Sequence, residues 1–135
     1  MAEGKRFLIF LLEGEHYAIP ITSLLEITVA RDLQKDPNLT GFEGKFEFRG
    51  TWVPVLNINK FLKLSGKPGV TLLVVKGKKR TLGILVDAIA DILDTEQKLI
   101  SLPKSLVDPG LRCYSGILRY KESLVLLLNE DGLLP

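Results

Sequence analysis

The sequence is poor in the residues that do chemistry. Among its 135 residues there is one cysteine, one histidine, one methionine and one tryptophan. A lone cysteine, Cys113, excludes an internal disulfide and suits a reducing compartment. One histidine and one cysteine cannot supply a closed metal site, so no metal and no cofactor is expected. His16 lies between Glu15 and Tyr17 in a stretch expected to turn, which makes it a surface residue before it is an acid or base. Cys113 has no histidine near it in the chain and reads as a packing residue, not a nucleophile. No catalytic residue is expected. Asp87, Asp91 and Asp94 are spaced to share a face of one helical turn. They lack the glycine and the bidentate glutamate of a calcium loop, and read as a solvated face. The glycines are isolated and form no phosphate-cradling loop.

An excess of charge of one sign is also missing, with 18 Lys and Arg against 16 Asp and Glu. The net charge of +2 gives no general case for nucleic acid or membrane surfaces. The one basic cluster, Lys76, Lys78, Lys79 and Arg80, has no interleaved aromatics to stack on bases. No apolar run approaches the roughly 20 residues of a spanning helix. The six apolar residues Phe7 to Leu12 fall short of a secretory signal core of about 7–15 residues, so a cytoplasmic protein without membrane insertion is expected.

What is present is enough for a core. The apolar content is 46% and the charged content 25%, ordinary values for a single folded domain. Short apolar or alternating segments separated by glycine turns point to strands: 7–12, 17–21, 46–48, 52–56, 70–75 and 81–86. Pro54 places its strand near an edge or a bulge. ITSLLEI reads as one helical turn or a bent strand. SGKPG at 65–69 is the one linker-like stretch.

The pattern occurs twice. GKFEFRGTWVPVLNINKFL at 44–62 matches GILRYKESLVLLLNEDGLL at 116–134, offset by 72: Gly44 with Gly116, Thr51 with Ser123, Asn57 with Asn129, Leu62 with Leu134. YAIPITSLLEI at 17–27 matches LGILVDAIADI at 82–92, offset by 65. About five short strands per half is the content of a small barrel, which leaves few exposed sheet edges. A chain with a core and no reaction centre is best read as a binding or scaffolding module. An enzyme with a ligand groove is opposed by the residue inventory. A small barrel that binds nucleic acid would need a basic face with aromatics, and Trp52 and the KGKKR tip fall in different halves.

Four segments carry a family resemblance. EHYAIPITSLLEI, FEGKFEFRGTWVPVLNINKFL with Arg49, Gly50 and Pro54 intact, LGILVDAIADILD, and YSGILRYKESLVLLLNEDGLL occur in the order found in the CheW-like domain. That family includes the coupling protein of bacterial chemotaxis. The resemblance spans residues 7–134. It implies an all-β chain of two small five-stranded SH3-like β-barrel subdomains, intertwined around a hydrophobic seam. Subdomain 1 is expected at about 15–64 and subdomain 2 at about 70–120, with terminal strands exchanged and the chain crossing near 63–70. It also implies an adaptor between the cytoplasmic tip of a chemoreceptor and the regulatory domain of a CheA-like histidine kinase. The receptor contact falls on Leu24, Glu26, Gly44 and Arg49. The sequence departs from the family where Asn57 replaces an aspartate, Ile58-Asn59 a Leu-Arg pair, and Glu47 an asparagine. These changes leave the choice of partner open.

Two further expectations follow from the residues. Trp52, on an alternating strand, should be at least partly buried and structural. Glu26 and Arg49 either serve binding or pair with each other across the seam.

Overall fold

The structure is a computed structural model. It describes residues 5–31, 33–38, 42–62, 64, 67–78, 80–97, 100–101 and 114–129. Cys113, Lys79, Leu134 and the expectations attached to them lie outside the described residues. The strands are β1 (Lys5–Leu12), β2 (Glu15–Pro20), β3 (Leu24–Val29), β4 (Gly44–Phe48), β5 (Thr51–Asn57), β6 (Thr71–Lys76), β7 (Thr81–Val86), β8 (Ala88–Thr95), β9 (Ile100–Ser101), β10 (Tyr114–Tyr120) and β11 (Ser123–Leu128). A 3-10 turn, Ile21–Ser23, precedes β3, and a single helical turn, α1 (Ile58–Phe61), follows β5. Asn57 caps α1 by accepting from the Lys60 N–H, so asparagine does the N-cap work expected of an aspartate.

Two sheets result, ordered β8-β1-β2-β11-β10-β9 and β3-β6-β7-β5-β4. The expected all-β class with two barrel subdomains is borne out. Each ring is closed from the end of its edge strand. Beyond β3, Gln34 bridges to Lys45 of β4. Beyond β8, β9 pairs with β10.

The repeat is carried into the hydrogen bonding residue by residue. Leu8 faces Ile19 as Leu73 faces Ile84. Ile27 faces Leu73 as Ile92 faces Leu8. The parallel pair Val55 and Gly83 is matched by Leu127 and Ala18. Even the bulges correspond, between Leu24 and Glu26 in β3 and between Ile89 and Asp91 opposite β1. The first hairpin of each half is built into the sheet that holds the last three repeat strands of the other half.

This exchange corrects the expected boundaries. One sheet takes residues 24–86, and the other takes 5–20 together with 88–128. The chain therefore crosses at Ile21–Ser23 and at Asp87, not near 63–70. The 67–70 stretch joins α1 to β6 within one sheet. Repeat boundaries and sheet boundaries differ because each hairpin is donated across the seam.

The donated hairpins explain the most apolar runs. In β1, Phe7 and Ile9 pack inside their own barrel, while Leu8, Phe10 and Leu12 face the seam. In β6, Leu72 and Val74 point into the other barrel, and Leu73 and Val75 into the seam. A strand buried on both faces needs apolar residues at every position. The seam cluster also takes Leu56, Ile58, Leu82, Ile84 and Val86, so it draws on both sheets.

Three local readings change. Pro54 is not on an edge, since β5 lies between β7 and β4; its missing N–H falls before the parallel pairing with β7, which begins at Val55. His16 is in β2 and half-buried, 5.5 Å from the ring of Tyr120; the turn itself is Glu13-Gly14. Asp87, Asp91 and Asp94 do not share a helical face, because Ala88–Thr95 is a strand. Asp94 pairs with Arg6 at 2.7 Å and Asp91 accepts from the Tyr120 hydroxyl at 3.0 Å. Asp87 joins the two sheets: its carboxylate accepts from the Glu13 N–H at 2.6 Å and from Asn59 Nδ2 at 3.1 Å.

Candidate partner-binding surface

The β3 bulge sorts its side chains. One extra residue, Leu25, stands between Leu24 and Glu26 in the pairing with β6. Leu24 packs half-buried on the seam and Leu25 on the barrel core. Glu26 is pushed out to solvent, followed by Ile27 at 44% and Val29 at 54% exposure. Two large apolar side chains two residues apart on one strand share a face. That face is left open.

The hairpin β4–β5 supplies the other part. Arg49 and Gly50 form its two-residue turn with φ of 50° and 81°. Positive φ at both positions matches the right-handed twist of the strands, and glycine takes it without cost. Arg49 is exposed, its guanidinium 4.8 Å from the centre of the Phe48 ring. No ion pair joins Arg49 to Glu26 among the described residues, so the alternative of mutual pairing is not what the structure displays.

Gly44 is of a different kind. It is buried, and a Cβ there would lie 2.6 Å from the Gln34 carbonyl oxygen. The closing bridge of the barrel needs that approach, so Gly44 acts through the backbone. Of the four expected contact residues, Glu26 and Arg49 are exposed, Leu24 is half-covered, and Gly44 is inside.

Trp52 is partly covered, as expected, but it is too open to be a core residue. It is 45% exposed, with Lys45 Nζ 4.9 Å from the ring centre. The strand does alternate, but Trp52 sits on the face opposite Val53 and Val55, outside the barrel and before β5 enters the seam at Leu56. Alternation alone cannot tell which face is the wet one. The same exposure recurs in the other half: Leu124, the counterpart of Trp52, is 66% exposed, and Ile92, the counterpart of Ile27, is 53% exposed. Among the described residues, Ile27 and Trp52 in one barrel thus have exposed apolar counterparts in Ile92 and Leu124 of the other, and the first barrel adds Val29 and Val70.

Among the described residues no three His, Cys, Asp or Glu side chains come together to hold a metal. The buried Tyr120 uses its hydroxyl on Asp91, a structural need of a phenol taken from water. An open hollow of about 330 Å³, lined by Pro20, Lys76, Gly77, Lys78, Ser115, Leu128 and Asn129, lies at the other end of β2. Among the described residues no helix is long and apolar enough to cross a membrane.

Residues 6–135 match the family model of the CheW-like domain. The chain is 28% identical over 136 residues to the chemotaxis protein CheW of Klebsiella aerogenes, covering 97% of this chain and 82% of that one. It is 26% identical over 137 residues to the chemotaxis protein CheW of Helicobacter pylori, covering 98% and 82%. The crystal structure of the scaffolding protein TtCheW from Thermoanaerobacter tengcongensis superposes with a TM-score of 0.82 at 19% identity, over 94% of this chain and 90% of that chain.

Proposed function

This chain belongs to the CheW-like domain family, and from that premise we propose that it is a non-catalytic adaptor of chemotaxis signalling. It couples the cytoplasmic tip of a chemoreceptor to the regulatory domain of a CheA-like histidine kinase, and it works in the cytoplasm. The observation that carries this reading is the pair of open faces on an otherwise closed core. Ile27 with Trp52 on one barrel and Ile92 with Leu124 on the other are exposed apolar side chains in corresponding places. An adaptor needs two faces, and a duplicated fold has them.

The receptor contact is assigned to the first face. The residues assigned to it are exposed Glu26 on β3, exposed Arg49 at the β4–β5 turn, half-buried Leu24, and Gly44, which acts only through the backbone of β4. An apolar centre with a polar rim is the anatomy of a transient interface. The planar guanidinium of Arg49 suits carboxylates or helix-end carbonyls of a helical hairpin better than an ammonium would.

The test is binding of the receptor tip to Arg49→Ala and Glu26→Ala. Each is expected to weaken binding by about tenfold, roughly 1.4 kcal/mol, with an unchanged melting temperature. Variants that bind as the parent does, or that melt early, move the contact elsewhere.

A further inference from the structure

The two barrel rims are closed alike but finished differently. In the second barrel, Ile100 of β9 pairs with Ile117 of β10. Two residues on, the Arg119 N–H donates to Gln97 Oε1 at 2.7 Å, and the Arg119 carbonyl accepts from Gln97 Nε2 at 2.7 Å. One side-chain carboxamide stands in for one residue of strand.

In the first barrel the corresponding bridge is Gln34 to Lys45, and Glu47 corresponds to Arg119. Phe48 and Thr51 flank the two-residue turn and so bond to each other. Glu47 and Trp52 are then a pair without mutual hydrogen bonds, and the Glu47 N–H and C=O point out of the hairpin. They point to the side on which Lys45 exchanges bonds with Gln34 at 2.7 and 2.9 Å. The residue three before the bridge is Gln97 in the second barrel and Arg31 in the first. Arginine offers only donors, and cannot accept from an N–H. Among the described residues nothing bonds to either outward backbone group of Glu47.

We infer that this edge of β4 is a two-point docking site for a carboxamide, the side chain of a glutamine or asparagine on the partner. The inference rests on the receptor-binding reading and adds the chemistry of one contact. The open edge is one amide long, because Lys45 is already paired and Arg49 begins the turn. A whole strand has no room there. A carboxamide carries one donor and one acceptor in the spacing of a peptide; a carboxylate has only acceptors and an ammonium only donors.

The experiment supplies the missing amide from within. Arg31→Gln should slow hydrogen exchange of the Glu47 N–H toward the rate of Arg119, and lower affinity for the receptor tip about tenfold. Arg31→Ala should change neither. In the parent, replacing one particular Gln or Asn of the tip by Glu or Asp should cause the same loss, with no further loss in Arg31→Gln. If the introduced glutamine leaves Glu47 exchanging fast, Glu47→Pro removes the N–H on an edge that tolerates proline, and the tenfold loss is expected there. Unchanged affinity in the variant that blocks Glu47 overturns the inference, as does a tip indifferent to every such replacement. A slow Glu47 amide in the free parent overturns the open edge alone. A parent that binds no tip overturns the receptor reading itself.

Discussion

At the scale of single residues, the side chains that hold the fold are distinct from those free to bind. Gly44→Ala should cost about 1–3 kcal/mol, the usual range for forcing atoms into a filled space, because its Cβ would meet the Gln34 carbonyl. Urea titration of the variant checks this, and a loss within the ±0.5 kcal/mol of ordinary surface changes would free Gly44 for a contact role. Trp52→Ala should cost about 1 kcal/mol or less, near the value of an exposed cation–π contact, and should weaken partner binding instead. Asp36 gives a pH signature. Its carboxyl is held below the usual carboxylate range first by the Asn38 N–H at 2.9 Å, then with help from Lys45. A depressed carboxylate stabilises the fold above its unfolded pKa of about 4 and loses that contribution as pH falls through its lower folded value. Parent and Asp36→Asn should therefore differ in stability at pH 7 and converge in acid, as read by thermal melts across that range. The roles of these residues were unevenly legible. Arg49-Gly50 announced its turn by residue type. Gly44 and Trp52 did not, because exposure depends on which face the other barrel covers, and no local spacing encodes that.

At the scale of elements, hairpins and turns were readable and their partners were not. Nearly every strand was bounded by glycine, proline or a charged pair. The offsets of 65 and 72 located the equivalent strands before any coordinates. The offset changes because the connection between the third and fourth repeat strands is longer in the second half, from β8 to β10 than from β3 to β4. Strand exchange was implied by the family resemblance alone: the unbroken apolar runs of β1 and β6 announce burial on two faces, but not which barrel receives them. The crossings carry the consequence. Asp87 is the single residue between β7 and β8, and it ties the Glu13 turn, Asn59 of the α1 turn and the Leu11 carbonyl to one point. Asp87→Ala should cost about 1–3 kcal/mol, the scale of hydrogen bonds to a charged acceptor and of a buried donor left short. Faster amide exchange at Glu13 would report the freed turn; protection unchanged there would remove Asp87 from this role.

At the scale of the whole molecule, each barrel contains strands from both halves of the chain, so neither is complete alone. Unfolding should follow one transition, with Trp52 fluorescence from one barrel and far-ultraviolet circular dichroism from both giving coincident curves. Separate curves would mean that the seam does not couple the barrels. The seam also fixes the two open faces relative to each other, which is what a coupling protein requires: two partners held at once in one geometry. The most direct measurement is calorimetric titration of receptor tip into the protein already saturated with the kinase regulatory domain. The account predicts that the tip binds with little change in affinity and that one copy of each partner is held together. Displacement of the kinase domain by the tip, or failure of either to bind, would contradict it.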